Sequence, residues 1–453
     1  MLRWIDELNG VEDADEKAKE IKREIKNLKK QPDSVQNRRT IRKKYEELDN
    51  IQYKPDYMCL IVDKEKDYRR AVKGFTINGE KYVRLLGTAG GIKNNTIVFV
   101  SERLAPELRK RIDNDRDKSV KLIPAKLEAY RALTCSGSSP VSMPKGILLV
   151  DDCETSFYEN IIQLSNDEGV EPKMEYIEHA KVDLDESDGY GLMLPSLAKR
   201  WSEELHLDYT VSGVNTRLSW EKGMVFTFDF VEFADKVAGT RIVKDAWGNE
   251  VDISNVELIL TTSMLKLWKC YDSMEHYLEC CERNHYTFGI AKTTPKELES
   301  ERDTNYQFIQ NYNLTDDQIE ELIKPTMDNI RDILSDDYRK AILYLKGMYL
   351  DSENIDYIES DFAKALMIDK RIYDDPFVKR KIYSMIRKRI NDAKIGVLTV
   401  HGNFSIISGD PYSLCQHIFG LEVTGILKKG EIYNKFWLDE GAAKVACFRA
   451  PMS

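Results

Sequence analysis

The chain has 453 residues, 32% of them charged and 42% hydrophobic, and its 67 basic and 77 acidic side chains leave a net charge of −10. That length suits roughly two to four domains with proper cores, and the ordinary apolar fraction excludes wholesale disorder or a coiled-coil rod. No run approaches the ~18 apolar residues of a membrane span, Met1-Leu2-Arg3-Trp4 opens no apolar signal core, and eight scattered cysteines make no disulfide framework, so a cytoplasmic protein without a membrane partner is expected.

The acidic sum argues against nonspecific coating of nucleic acid, but it hides an asymmetry. Between Lys17 and Lys44 stand twelve Lys/Arg against three acids, a local +9 that leaves −19 on the other 425 residues. Ala14, Ala18, Ile21, Ile25 and Leu28 recur at spacings of three and four, as do Ile41, Tyr45 and Leu48, with Gln31-Pro32-Asp33 between. This reads as a basic helical hairpin, over 1–55, with a narrow apolar seam. Its lysines fit a solvated helix face or a phosphate-contacting arm.

From Met58 the period changes. Met58–Val62, Tyr82–Leu86 and Thr96–Val100 are short apolar runs that predict buried strands, and a helix follows over 103–113. The turn Gly87-Thr88-Ala89-Gly90-Gly91 lacks the Lys-Ser/Thr of a P-loop and a full Gly-x-Gly-x-x-Gly, so a plain turn is expected. Ser136–Pro140 reads as a flexible joint before a strand at Gly146–Val150, completing an α/β region over 56–165. Residues 171–268 are strand-rich, with one helix near Leu197–Leu205, which suggests a small closed barrel over 166–270. A helical stretch runs to 390, and Thr315-Asp316-Asp317-Gln318 within it has the form of a capping box. Strands are expected again at Gly396–Val400 and Lys444–Phe448, within what looks like an unfinished β domain over 391–453.

Several clusters invite chemistry. Asp183, Asp185 and Asp188 miss the calcium-loop spacing, and a polar turn accounts for them better. His276, Cys280, Cys281 and His285 would not share one helix face, so an amphipathic helix is preferred to zinc. Asp151, Asp152 and Glu154 follow a strand, where metal-binding acids can stand, but no companion base is visible for a nuclease. More telling are Arg217 and Lys222, beside Gly223 and the run Met224-Val225-Phe226, and Lys266 within Leu258–Trp268. A lysine amid such apolar sequence is costly unless it meets an anion, so the three cations either converge on phosphate or snorkel to water.

The order of these segments resembles a known family. Ser187-Asp188-Gly189-Tyr190-Gly191-Leu192-Met193, then Arg217 to Lys222-Gly223-Met224, then Ser263-Met264-Leu265-Lys266 are similar to the first catalytic barrel of the two-barrel (double-psi β-barrel) RNA polymerases. The single-chain branch, with the eukaryotic RNA-silencing polymerases and phage-type relatives, looks closest. Gly402–Pro411 and Val445–Pro451 resemble the opening of the second barrel.

The resemblance implies an α+β fold: helical hairpin and α/β region, a double-psi β-barrel, a helical connector over 271–390, and the start of a second barrel. It implies that Lys222 and Lys266 contact nucleotide or RNA phosphates as catalytic residues. Arg217 joins them as a substrate-binding cation, and Arg449 reads the ribose hydroxyls. Partners would be a nucleic-acid template, nascent RNA and NTPs, with a second chain or C-terminal half. The family's magnesium-binding Asp-x-Asp-Gly-Asp loop occurs nowhere in the 453 residues, so Mg2+ is expected for the complete enzyme and no motif here binds it. The expectation is the N-terminal part of a template-directed RNA polymerase, a nucleotidyltransferase; the alternative is a noncatalytic nucleic-acid-binding or scaffold protein on the same fold.

Overall fold

The structure is a computed structural model that describes residues 1–11, 14–31, 34–87, 96–165, 171–305, 307–308, 313–334, 369–428, 430–442 and 444–448. Helices and strands are mixed, and the chain divides into two compact units, Met1–Lys296 with Ile407–Gly430, and Glu297–Ile406 with Glu431–Ser453.

The first unit opens with helix α1 (Leu2–Leu8), whose Trp4 and Ile5 are buried. Helices α2 (Ala14–Lys29) and α3 (Val35–Gln52) then form a hairpin. Ala18, Ile21, Ile25 and Leu48 make its seam, with Ile41 and Ile51 against them. Ser34 caps α3 by accepting from the Asn37 amide at 3.0 Å, and the Asn37 side chain donates to the Leu28 carbonyl at 2.9 Å, tying the turn to α2. Tyr45 has the seam's spacing but lies 41% exposed, with Lys29 Nζ 5.5 Å from its ring centroid.

Next comes a four-stranded antiparallel sheet of β1 (Tyr57–Ile61), β2 (Phe75–Ile77), β3 (Glu80–Gly87) and β4 (Thr96–Ser101), in the order β1-β4-β3-β2. Beyond Gly87, the glycine-rich turn lies outside the described residues. A larger mixed sheet contains β5 (Ser139–Pro140), β6 (Ile147–Val150), β9 (Tyr190–Met193), β10 (Gly213–Leu218), β11 (Glu221–Thr227), β14 (Leu258–Thr261) and β15 (Gly289–Thr293). Their order is β5-β15-β10-β11-β9-β14-β6. Between them run a ribbon of β7 (Glu154–Ser165) with β8 (Lys173–Asp185), and a short pair of β12 (Ile242–Lys244) with β13 (Glu250–Asp252).

Buried side chains divide between the two faces of the large sheet. Leu149, Met193, Leu258 and Leu260 join one core, while Leu148, Val150, Leu192 and Ile259 join the other. That explains why these strands are unbroken apolar runs: a strand covered on both faces has no polar side. Two readings of the sequence change here. Ser139–Pro140, within the expected flexible joint, is an edge strand beside β15, a position where proline's missing N–H costs nothing. Gly289–Thr293, within the stretch read as helical, pairs with β10 instead.

In the second unit, β16 (Glu301–Asp303) pairs with β17 (Thr399–His401). The helix Asp316–Leu334 begins with a reciprocal box, since the Thr315 amide donates to Gln318 Oε1 at 3.0 Å and the Gln318 amide to Thr315 Oγ1 at 3.4 Å. The helix Pro376–Lys394 is capped by Asp375, and its Arg389 pairs with Asp303 at 2.8 Å. Residues 444–448 carry no strand, contrary to expectation, as the described residues supply no ladder partner for them.

Candidate functional site

The site is built on the β10–β11 hairpin. Leu218 pairs with Glu221 and Arg217 with Lys222, leaving Ser219 and Trp220 as a two-residue turn in which Ser219 takes φ of +51°. Such a φ is unfavourable for a residue with a Cβ, by about 1 kcal/mol or more, and the surroundings must hold it. Trp220 is fully buried and its Nε1 donates to the Tyr271 hydroxyl at 2.8 Å, which donates to the Asn114 carbonyl at 2.9 Å. The Tyr277 hydroxyl donates to the Leu218 carbonyl from the helix Met274–Arg283. The tip is therefore anchored through its aromatic residue and its backbone.

Residues 263–268 run alongside. The Lys222 amide donates to the Met264 carbonyl at 3.1 Å, the Lys266 amide to the Trp220 carbonyl at 3.2 Å, and Glu221 bridges Leu265. Lys222 and Lys266, 44 positions apart in sequence, thus stand on neighbouring stretches of backbone. Strand alternation puts Arg217 and Lys222 on one face of the hairpin and Thr216, Leu218 and Glu221 on the other. Lys222 is exposed, while Arg217 and Lys266 are half-buried. Partial desolvation at the base of its side chain, and then the nearby Arg217 and Lys266, lower the Lys222 pKa. Burial also lowers that of Arg217, against the pull of Glu221. Arg217 donates to the Thr216 carbonyl at 2.6 Å and to Asn215, and Lys266 Nζ to the Ser263 carbonyl.

Glu221, which the reading of the sequence passed over, lies at 0% exposure beneath this group. Its Oε1 accepts from Thr216 Oγ1 at 2.5 Å, and its Oε2 is buried without a hydrogen-bond partner among the described residues. Burial pushes its pKa up to about 7, against the opposing influence of Thr216, Arg217, the Leu218 amide and Lys266. The only signal was a Glu one residue before Lys222 in a strand whose next inward positions are Gly223 and Val225.

A second node fixes the Lys266 segment. Asp152, just after β6, accepts from Thr262 Oγ1 at 2.6 Å, from the Ser263 amide at 2.8 Å, from Ser263 Oγ at 2.6 Å and from Ser187 Oγ at 3.2 Å. The Gly189 amide also donates to Ser263 Oγ at 2.7 Å, and the Met224 amide to the Gly189 carbonyl at 2.9 Å. Three sequence-distant segments, 187–193, 217–224 and 263–266, therefore meet at one point. Gly223 allows a close approach, but by protein and not by ligand: a Cβ there would stand 2.4 Å from Met264 Cε and 2.7 Å from the Gly189 carbonyl oxygen.

The other clusters do not assemble. Asp183 pairs with Lys181 at 2.8 Å and accepts from Ser156, while Asp185 accepts from the Ser187 amide at 2.9 Å. Cys280 and Cys281 are buried, whereas His276 meets Asp272 at 3.5 Å and His285 meets Glu7 at 3.1 Å. Among the described residues no three His, Cys, Asp or Glu side chains could hold a metal ion, so the carboxylates present do not fit the magnesium the motifs imply. Arg449 lies outside the described residues.

Residues 23–446 match the RNA dependent RNA polymerase family, and the chain belongs to that family. Its likeness is to single-chain RNA polymerases. It is 27% identical over 384 residues to the DNA-directed RNA polymerase YonO of Bacillus phage SPbeta, an alignment covering 82% of this chain and 42% of that protein. The chain thus spans less than half the length of this relative. The solved structure of the RNA dependent RNA polymerase QDE-1 from Thielavia terrestris aligns over 76% of this chain and 37% of its own, at 15% identity and a TM-score of 0.44.

Proposed function

We propose that this chain is the N-terminal part of a template-directed RNA polymerase, with the large sheet of the first unit as the first double-psi β-barrel and residues 391–453 as the start of the second. The observation that carries this reading is the convergence of 187–193, 217–224 and 263–266, which draws Arg217, Lys222 and Lys266 into one cationic group. Nucleotidyl transfer accumulates negative charge on phosphate oxygens, and cations whose positions are set beforehand stabilise that charge most effectively. Lys222 and Lys266 take the phosphate-contacting role, Arg217 supports substrate binding, and Arg449 recognises ribose hydroxyls. Magnesium, where the complete enzyme holds it, would be bound by carboxylates outside the described residues and would add to this charge stabilisation. Template, nascent RNA and NTPs are the partners, and a second chain or C-terminal half would complete the enzyme.

The test uses the polymerase completed with its metal-binding carboxylates. Lys222→Ala and Lys266→Ala should each lower nucleotide incorporation, by roughly 10²-fold or more, with the unfolding midpoint unchanged. Undiminished primer extension by both variants would remove the assignment.

A further inference from the structure

The α2–α3 hairpin has two unlike sides. One is marked by Lys44, whose Nζ lies 2.8 Å from both Glu24 and Glu47, and Glu16, Glu20 and Glu24 repeat every four residues along that flank of α2. Charges there neutralise one another. The other side is marked by Lys29 over the Tyr45 ring at 5.5 Å. Residues three, four or seven apart share a helix face. The stripe through Lys29 therefore holds Lys22 and Lys26, with Lys30 beside it, and the stripe through Tyr45 holds Arg38 and Arg42, with Arg39 and Lys43 adjoining. Both basic stripes face the same way.

A helix face kept merely soluble would intersperse the two signs; here Glu16, Glu20 and Glu24 of α2 lie on the opposite flank, while α3 places Glu46 on the basic side, 3.2 Å from Arg42. Lys22, Arg23, Lys26, Lys30, Arg39 and Lys43 are exposed and enter no ion pair among the described residues. Successive lysines of the α2 stripe rise about 6 Å per four residues, on the order of the spacing between neighbouring phosphates of one strand. An anionic membrane suits the hairpin less well. Ile21, Ile25 and Leu48 are buried in the seam, with Ile41 and Ile51 packed against them, so among the described residues the large apolar side chains that α2 and α3 expose are the well-separated Val35 and Tyr45, which make no stripe to insert.

We propose that this side of the hairpin is a nucleic-acid contact separate from the sheet-borne cations, holding the sugar-phosphate backbone of a strand with Lys22, Lys26, Lys30, Arg39 and Lys43. It reads no sequence, because its contacts are made to phosphate alone. It lends the acidic chain a local positive field that captures nucleic acid.

The full chain is titrated with a fluorescein-labelled polyuridylate strand, and with a labelled duplex, over a series of salt concentrations. Each phosphate neutralised on a single strand contributes about 0.7 to the slope of log K against log salt, so the triple variant Lys22→Ala/Lys26→Ala/Lys30→Ala should lower that slope by about 2. Arg39→Ala/Lys43→Ala on α3 should lower it by about 1.4 on the same ground, and tests the same side independently. A reduction on strand or duplex supports the contact and shows which form it holds. Unchanged slopes in both variants overturn it. So does binding to phosphatidylserine vesicles that both variants abolish while their nucleic-acid slopes stay as in the parent. Lys222→Ala in the completed polymerase serves as reference: nucleotide incorporation lost there with the hairpin-dependent slope intact, or the reverse, separates failure of one reading from failure of the other.

Discussion

Two regions of this molecule carry concentrated positive charge, and they carry it by opposite means. The β10–β11 hairpin holds Arg217 and Lys222 on paired strands above a buried carboxylate, with its tip tied down by Trp220, Tyr271 and Tyr277. The α2–α3 hairpin strings its cations along solvated faces, where only helical period sets their spacing. The first arrangement costs desolvation, which lowers the pKa of Arg217 and of Lys222, and hydrogen bonds to backbone carbonyls hold the half-buried Arg217 and Lys266 side chains in place. The second costs little and leaves long, mobile side chains suited to diffuse, salt-sensitive attraction. Where the cations sit thus separates a group whose positions are set by packing from one in which helical period alone sets the spacing.

If the sheet cluster owes its geometry to the anchored tip, the largest effect comes from cutting that anchor. Trp220→Ala removes a side chain 1% exposed and a hydrogen bond to Tyr271, and should destabilise the protein by roughly 3–5 kcal/mol, read as a shift of the urea midpoint. A loss below about 1 kcal/mol, the level of an average substitution, would break the comparison, because the cluster would then stand on a platform it does not need.

The buried carboxylate sharpens the contrast, since nothing like it underlies the helical cations. Glu221 has a folded pKa of about 7 against 4.5 for a free side chain. In the folded state it therefore binds its proton more tightly. The stability this contributes is fully present below about pH 4.5 and is lost as pH rises through about 7. Arg217 and Lys266 oppose the loss, and the phenol of Tyr277 and the thiol of Cys281 also lie within its field. Glu221→Gln keeps the shape and removes the titration. Relative to this variant, the parent should lose up to about 3 kcal/mol of unfolding free energy between pH 5 and pH 8. Identical pH slopes for the two proteins would show that Glu221 stays ionised throughout.

How much of this was legible in the residues follows the same divide. The helical seam is written locally, because Ile21, Ile25 and Leu48 bury themselves by period alone, and the capping box at Thr315–Gln318 announces its helix. Buried strands such as Leu258–Thr261 are legible as unbroken apolar runs. Tertiary partners are not written locally. Glu221 looks like any polar residue beside a lysine until β10 and the 263–268 segment close over it, and Asp152 looks like a metal ligand until Thr262, Ser263 and Ser187 occupy its oxygens. Lys444–Phe448 has the apolar content of a strand, but a strand also needs a neighbour. The ordered motifs at 187–193, 217–224 and 263–266 conveyed what no period could, that distant segments share one place.

The smallest expected effect probes whether the helical hairpin is as local as this implies. Ser34 accepts from the Asn37 amide at 3.0 Å and stands where α3 begins. Replacing it by alanine leaves one orphan donor of the first turn to water and should cost about 1 kcal/mol. If α2 and α3 are held chiefly by their own seam, that cost appears only as faster hydrogen exchange of the amides in α2 and α3, with those of β10 and β11 unaffected. Faster exchange in the sheet as well would mean that the two regions open together, and that the diffuse cations and the fixed ones belong to a single cooperative unit.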